Sequence, residues 1–386
     1  MKAQSVYIHI PFCQQICHYC DFTKFFYNEK LATEYIEALS NEINTQIKGT
    51  KNQVRTIFIG GGTPTALNLE QLRSLMQLID SKFNIAGASE FCIEANPGDF
   101  DKEKAKLLKS YGVNRVSLGV QVFDDAMLEE LGRVHKIKDV YSTINLLQQY
   151  GFDNISLDMI YALPNQTVEH FRQTLDEALS FNLPHYSAYA LQIEPKTVFY
   201  QRYHKGKLHR PPQEEEVRMY DILKESMKCN GLKQYEISNF AKPDYESMHN
   251  LVYWQNEHYY GFGAGAHGYL PGKRSGNIRP LPAYIKQAME NGYPILNIEE
   301  IGIKEMIEEE MFLGLRKMEG ISDRHFINKF GFSYELLYKD TLSYLGDKGW
   351  IMRDAGYLRL TDQGILFGNE VFAQFLLEEN DLSVVR

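Results

Sequence analysis

Along the first 230 residues the spacing of apolar positions switches back and forth between two periods. Short β-rich runs at 6–10, 55–59, 90–94, 115–120, 154–160 and 186–191 each end in a polar or Gly/Pro-containing turn. Between them, segments near 31–48, 69–82, 102–111, 139–150, 168–182 and 213–230 carry apolar residues at spacings of three and four, the mark of amphipathic helices. A βα unit repeated about six times predicts an α/β architecture, a parallel sheet backed by helices and curved into an incomplete (β/α)6 barrel. In such a barrel ligands gather at the C-terminal ends of the strands.

The rhythm fades after Leu191 into a polar stretch, 201–216, expected to be a surface connection, as is the histidine-containing stretch His204 to His209. Three regions follow from this pattern: a barrel over 1–235, barrel-closing loops over 236–300, and a small C-terminal domain over 301–386. In the last, helix-period segments precede a short hairpin around Trp350 and Tyr357, which predicts a winged-helix-like unit. Wings can bind DNA, but this segment holds more Asp and Glu than Lys and Arg.

Composition narrows the picture. With 386 residues, 44% of them hydrophobic, the chain can bury one large core and a second small one. A net charge of −9 without a Lys/Arg stripe argues against nucleic acid as a partner. No stretch offers the roughly 18 uninterrupted apolar residues of a membrane span, and no leader-like apolar region opens the chain, so a cytoplasmic protein is expected.

Candidate chemistry starts at the first predicted strand end. Only five cysteines occur, and three of them, Cys13, Cys17 and Cys20, stand in a C-x3-C-x2-C run. Three thiolates on one short loop suit an iron–sulfur cubane with one iron left open, since a cubane has four irons. A zinc site completed by His9, His18 or Asp21, or three buried thiols, are the alternatives that the residues leave standing. Cys92, in a strand, and Cys229, at a helix end, read as core or incidental thiols. Other polar motifs fall at further strand ends: Gly60-Gly61-Gly62-Thr63-Pro64 after the second, Glu94-Ala-Asn96-Pro97 after the third, Gln121 after the fourth and Asp158 near the end of the fifth. Four strand ends then face the same mouth as the cysteine loop.

These motifs, with Tyr7-Ile-His-Ile-Pro-Phe-Cys13, Gly119-Val-Gln121, Arg133, Asp158-Met-Ile-Tyr161 and Tyr235-Glu-Ile-Ser-Asn-Phe240, resemble the oxygen-independent coproporphyrinogen III dehydrogenase-like family of radical S-adenosylmethionine (SAM) proteins. The resemblance runs along nearly the whole chain. It implies a 4Fe-4S cluster on Cys13, Cys17 and Cys20, whose open iron chelates SAM and whose electron cleaves SAM to a 5'-deoxyadenosyl radical. It further implies that the backbone at Tyr19 meets the adenine and that Gly62 and Thr63 meet the amino end of the methionine moiety. Gln121, Arg133 and Asp158 would hold its ribose and carboxylate, while Tyr7, Gly61 and Glu94 match contacts to a second SAM. The residue types suit those roles, because a carboxylate pairs with a guanidinium and ribose hydroxyls with an acid or amide.

Two departures from the dehydrogenase stand out. Its cysteine motif continues C-x2-C-x-C, whereas Phe22 stands where the further cysteine would be, and its N-terminal extension is expected to be missing, because the first strand starts at about residue 5. What remains resembles the branch of the family regarded as heme-trafficking proteins, marked by His-Asn-x-x-Tyr-Trp, here His249-Asn250-Leu251-Val252-Tyr253-Trp254. From the residues alone His249 is either an imidazole offered to heme iron beside an aromatic surface or a structural histidine packed on the barrel; the resemblance implies the former. His267, in a glycine-rich loop, reads as a local hydrogen-bonding residue. The expected function is therefore a heme chaperone holding a 4Fe-4S cluster, SAM and heme, with heme-accepting proteins, respiratory ones among them, as partners. Oxidative decarboxylation of coproporphyrinogen III is the alternative from another class, and a radical methyl or alkyl transfer is a third. A homodimer is left open.

Overall fold

Six parallel strands form the barrel wall in the computed structural model, which describes residues 3–378 and 381–382: β1 (Ser5–Ile10), β2 (Thr56–Gly61), β3 (Glu90–Ala95), β4 (Arg115–Gln121), β5 (Asn154–Tyr161) and β6 (His185–Ala190). Helices α1 (Glu29–Gln46), α2 (Leu69–Lys82), α3 (Lys102–Ser110), α4 (Ile137–Gln149), α5 (Val168–Ser180) and α6 (Gln213–Cys229) alternate with them. The expected incomplete (β/α)6 barrel is what forms. Along each strand, residues pointing out are apolar and fully covered, as are Val6 and Ile8, Ile57 and Ile59, Val116 and Leu118, and Ile155 and Leu157. Those pointing in are mostly polar: Glu94, Arg115, Ser117, Ser156, Asp158, His185 and Ser187 line the interior. A parallel strand buried on both faces normally reads as a continuous apolar run. Here the alternation survives because the inner face encloses a cavity.

The segment 236–300, expected as barrel-closing loops, contains regular helices and strands. Strands β7 (Lys233–Glu236) and β8 (Asn239–Ala241) add an antiparallel edge beside β6. Helix α7 (Met248–Trp254) carries the His-Asn-x-x-Tyr-Trp motif. Beyond it β9 (Tyr259–Phe262) pairs parallel to β1, and β10 (His267–Leu270), β11 (Lys273–Asn277) and β12 (Ile295–Glu300) continue as an antiparallel ribbon, giving a 12-stranded sheet. Helix α8 (Leu281–Asn291) returns across α1. One buried carboxylate fastens this extension to the barrel: Glu42 of α1 accepts hydrogen bonds from the Gly263 backbone N–H (2.9 Å), Asn277 Nδ2 (2.6 Å) and the Tyr284 hydroxyl (2.5 Å). Burial pushes Glu42 up to about 7 in spite of these donors.

The stretch expected as a surface connection also contains helix, Val198–His204, before α6 begins at Gln213. At the C-terminus α9 (Ile303–Gly314), β13 (Ile321–Ser322), α10 (Asp323–Phe330), α11 (Tyr334–Asp347) and the hairpin β14 (Ile351–Asp354) with β15 (Tyr357–Leu360) make a winged-helix-like unit. Ile307, Met311, Phe326, Leu342, Leu345 and Leu358 form its core, separate from that of the barrel. The outermost ends of the regions assigned from sequence, 1–2, 379–380 and 383–386, lie outside the described residues. Among the described residues no helix is long and apolar enough to cross a membrane.

Candidate metal and cofactor site

The cysteine loop leaves β1 at Pro11 and is tied down on three sides. Gly62 N–H donates to Ile10 O (2.9 Å) and Thr63 N–H to Phe12 O (2.7 Å), which presses the loop onto the glycine turn after β2. His18 is held by Leu131 and Glu130: its N–H donates to Leu131 O (2.9 Å) and its ring Nδ1 to Glu130 O (2.7 Å). His9 is also committed, taking a hydrogen bond from the Tyr7 hydroxyl (2.9 Å) and giving one to Thr23 O (2.8 Å). Burial lowers His9 to about 4, so its ring is neutral and serves as a strut between β1 and the loop. Gly62 is required by contact: a Cβ there would lie 2.8 Å from Phe12 O and 2.9 Å from the Cys13 sulfur.

Cys13, Cys17 and Cys20 are free thiols lining one cavity of about 480 Å³ at the barrel mouth. Burial raises Cys13 to about 12, against the Thr63 hydroxyl, and raises Cys20 as well. Thiols so placed are protonated until a metal takes the proton's place. Among the described residues no three His, Cys, Asp or Glu side chains are grouped to hold one metal ion. Each thiolate of a cubane binds its own iron, so three thiols around one cavity suit a cluster with one iron left open. His9 has both ring nitrogens engaged, which removes it from the zinc alternative, whereas His18 commits only Nδ1.

A polar chain runs from the loop into the barrel. The Thr63 hydroxyl donates to Cys13 Sγ (3.7 Å) and accepts from Asn96 Nδ2 (2.9 Å), while Arg133 Nη2 donates to Asn96 Oδ1 and to Gly119 O (2.5 Å each). Arg133 Nη1 reaches Cys17 Sγ at 3.4 Å. Arg133 comes from a loop between strands, yet its guanidinium is fixed by three partners around the cluster loop and remains charged. Gln121 sits at φ +71°, where the β4/β5 pairing slips. That left-handed backbone is costly for a residue with a side chain, and such strain concentrates at functional sites.

Deeper in, the Asp158 carboxylate accepts from the Ser117 hydroxyl (2.7 Å) and the Ser156 hydroxyl (3.0 Å). Ser156 in turn meets His185 Nδ1 at 2.8 Å, and His185 Nε2 meets the Tyr235 hydroxyl at 2.9 Å. Burial, then Arg115, lowers His185, so a neutral ring relays this chain. Burial raises Asp158 despite its serine donors. Glu94 accepts from Gly61 N–H (2.9 Å) and is pushed up to about 7, by burial first and also by Asp158. Gly61 itself has φ +119°.

Cys13, Cys17, Tyr19, Cys20, Gly61, Gly62, Thr63, Glu94, Gln121, Arg133 and Asp158 therefore all line the one cavity, and Tyr7 borders an adjoining slot that shares Gly61 and Glu94. Ser117, Ser156 and His185 are not among the residues that the sequence pattern singles out, and Asn96 is quoted there only within its strand-end motif. Their signal was available: each is a polar residue on the inward period-two positions or at the end of a strand whose outward positions are apolar.

His249 stands apart. It is not on an openable loop at the mouth but on α7, which closes the far end of the barrel. Its ring bonds the Thr56 hydroxyl (2.8 Å) at the start of β2 and the Tyr253 hydroxyl (2.9 Å), and stacks on Phe58. The side chain is fully buried, and burial lowers it to about 3. His267, by contrast, is exposed on β10, and among the described residues its ring makes no hydrogen bond, which differs from its reading as a local hydrogen-bonding residue.

Comparison with known proteins agrees with this geometry. Residues 7–178 match the Radical SAM superfamily and residues 304–367 the HemN C-terminal domain. The chain is 51% identical over 97% of its length to the heme chaperone HemW of Bacillus subtilis, covering 100% of that protein, and 42% identical over 98% to that of Lactococcus lactis, covering 98% of it. The HemW of Escherichia coli is 30% identical, with 97% of this chain and 98% of that one aligned. In fold, the chain superposes on the coproporphyrinogen III oxidase HemN of Escherichia coli, a radical SAM enzyme, with a TM-score of 0.83 at 24% identity, over 97% of this chain and 90% of that one. A polar barrel closed over a three-cysteine loop, joined to full-length identity of this degree, shows that the chain belongs to the HemW family of radical SAM proteins.

Proposed function

We propose that this protein is a radical SAM-type heme chaperone: it holds a 4Fe-4S cluster, SAM and heme, and hands heme to acceptor proteins, respiratory hemoproteins among them. The observation that carries the reading is the convergence of the cysteine loop, the glycine turn and the Arg133–Asn96–Thr63 chain on one cavity in a chain so similar, end to end, to proteins named heme chaperones. In this reading Cys13, Cys17 and Cys20 ligate the cluster, which supplies an open iron and one electron when bound. Gly62 and Thr63 meet the amino group of SAM, Arg133 its carboxylate, and Gln121 and Asp158 its ribose, with the backbone at Tyr19 against the adenine. The buried guanidinium suits a carboxylate, because both charges are then desolvated together. Tyr7, Gly61 and Glu94 border the slot that the family resemblance gives to a second SAM.

Heme ligation by His249 requires α7 to unseat, because both ring nitrogens are engaged where it lies. Phe22, 63% exposed on the cluster loop, stands where the dehydrogenase has its further cysteine, which speaks against porphyrinogen decarboxylation. One anaerobic preparation tests the whole reading. Reconstituted protein is expected to bind heme stoichiometrically, to pass it to an apo-hemoprotein, and to leave coproporphyrinogen III unchanged in the presence of SAM and reductant. Steady conversion to protoporphyrinogen IX, or absence of heme binding, overturns it.

A further inference from the structure

We infer that heme docks in the slot between the cluster loop and the β10–β11 ribbon, with His267 as its axial ligand and Arg279 as partner of a propionate. The inference rests on the heme-chaperone reading and adds a place and ligands to it.

Iron needs an imidazole nitrogen that is neutral, unpaired and reachable. His9, His185 and His249 have both ring nitrogens hydrogen-bonded, and His18 and His135 have one each, set in the folded loops that hold them. His267 meets all three conditions. It is exposed, among the described residues its ring takes part in no hydrogen bond, and partial burial together with the nearby Arg279 and Arg274 holds it below the ordinary histidine range, hence neutral.

The surroundings of His267 have the chemistry of a porphyrin site. It borders a slot of about 340 Å³ whose walls include the aromatic rings of Tyr7, Phe22 and Tyr259. Phe22 is 63% exposed, a large apolar ring that the protein itself does not cover. Arg279 lies at the same rim, exposed, and among the described residues it makes no ion pair, so its guanidinium is available to a carboxylate. The slot shares Asp21, Phe22, Gly61 and Glu94 with the cluster cavity, so a planar ring larger than the slot can extend its edge over that opening. A half-open seat also suits a carrier, whose cargo must leave. Because Tyr7, Gly61 and Glu94 form part of this slot, heme and a second SAM would exclude each other there.

Heme titration by absorbance, with resonance Raman of the complex, tests the assignment on the reconstituted full chain and on His267→Ala, Arg279→Gln, His249→Ala and His258→Ala. Iron and sulfide content report whether the cluster is intact. His267→Ala is expected to weaken heme binding about ten-fold or more and to shift the Soret band, with the wild-type spectrum recovered on adding free imidazole. Arg279→Gln should weaken binding about three-fold to ten-fold at unchanged band position, since it removes a rim charge and not a ligand. Unchanged affinity and spectrum in His267→Ala, or loss of the axial signature in His249→Ala or His258→Ala instead, overturns the inference and leaves the chaperone reading standing. A wild-type protein that binds no heme overturns both.

Discussion

Glu94 offers a quantitative test of the barrel interior. Its carboxyl sits at the end of β3, accepts one hydrogen bond from Gly61 N–H, and is held at about 7 by burial and by Asp158, against 4.5 for the free acid. The unfolded chain releases this proton near 4.5 and the folded chain keeps it to about 7. Between those values the folded state binds more protons, so stability falls as pH rises, and the full penalty is present above about 7. The gap is equivalent to about 3 kcal/mol; water in the cavity brings the expected value to about 2–3 kcal/mol. Glu94→Gln keeps the acceptor for Gly61 and removes the titration. In a Cys13/Cys17/Cys20→Ser background, where cluster loss does not complicate unfolding, urea denaturation is measured from pH 4 to 8. The stability of Glu94→Gln relative to its parent should be flat below pH 4.5, climb across the window, and level off at about 2–3 kcal/mol in favour of glutamine. A difference that does not change with pH, or a glutamine variant less stable at pH 8, refutes the account of two buried carboxyls sharing one interior.

Further substitutions probe the other parts. Gly62→Ala drives a methyl into Phe12 O and the Cys13 sulfur, so iron and sulfide content after anaerobic reconstitution should fall by half or more while far-ultraviolet dichroism is retained; normal cluster content would show that the loop can move aside. Arg133→Lys keeps the charge but loses the fork that reaches Cys17, Asn96 and Gly119, and SAM affinity measured by equilibrium dialysis should drop about ten-fold or more at unchanged iron content. His249→Ala removes two buried hydrogen bonds and a stacked ring, at an expected cost of about 2–5 kcal/mol in urea unfolding, measured in the same cysteine-free background. Unchanged stability together with lost heme would return this imidazole to the iron.

The barrel was legible because its outward positions obey simple periods. Val116, Leu118 and Val120 on β4, or Leu72, Leu75, Met76 and Ile79 on α2, announce strand and helix without any tertiary information. The cysteine loop was legible because thiols are few and their spacing is tied to chemistry. The segment 236–300 was not, for a physical reason. Helix α7 spans only seven residues, too short for a helical period to emerge, and its start is set by a group remote in sequence: Glu90 accepts from the N–H groups of Met248 and His249 (2.9 Å each). β9 pairs with β1 across some 250 residues, and its Tyr-Tyr-Gly-Phe sequence alternates nothing. Tertiary partners define these elements, so local pattern could identify the motif but not its orientation.

That orientation sets what His249 would have to give up to reach heme. Residues 249 and 253 lie one helical turn apart, so His249 and Tyr253 share the face of α7 that meets β2, while Asn250 turns to the cavity and Trp254 lies under the Arg316 guanidinium, 4.5 Å from its ring centre. The N-cap Ser247 donates its N–H to Tyr235, the far end of the chain through His185 and Ser156 to Asp158. To present His249 to heme, α7 must give up the bonds to Thr56 and Tyr253, its two N–H bonds to Glu90, and the Ser247–Tyr235 link. Exchanged with water, each such hydrogen bond is worth about 0.5–1.5 kcal/mol, so opening five costs on the order of 3–8 kcal/mol, which one axial bond would have to offset before any affinity remained. His267 gives up nothing. The motif that marks the family thus holds the Asp158 relay and the barrel floor in register, and in the proposed reading it is the rim of the neighbouring slot that offers an imidazole to iron.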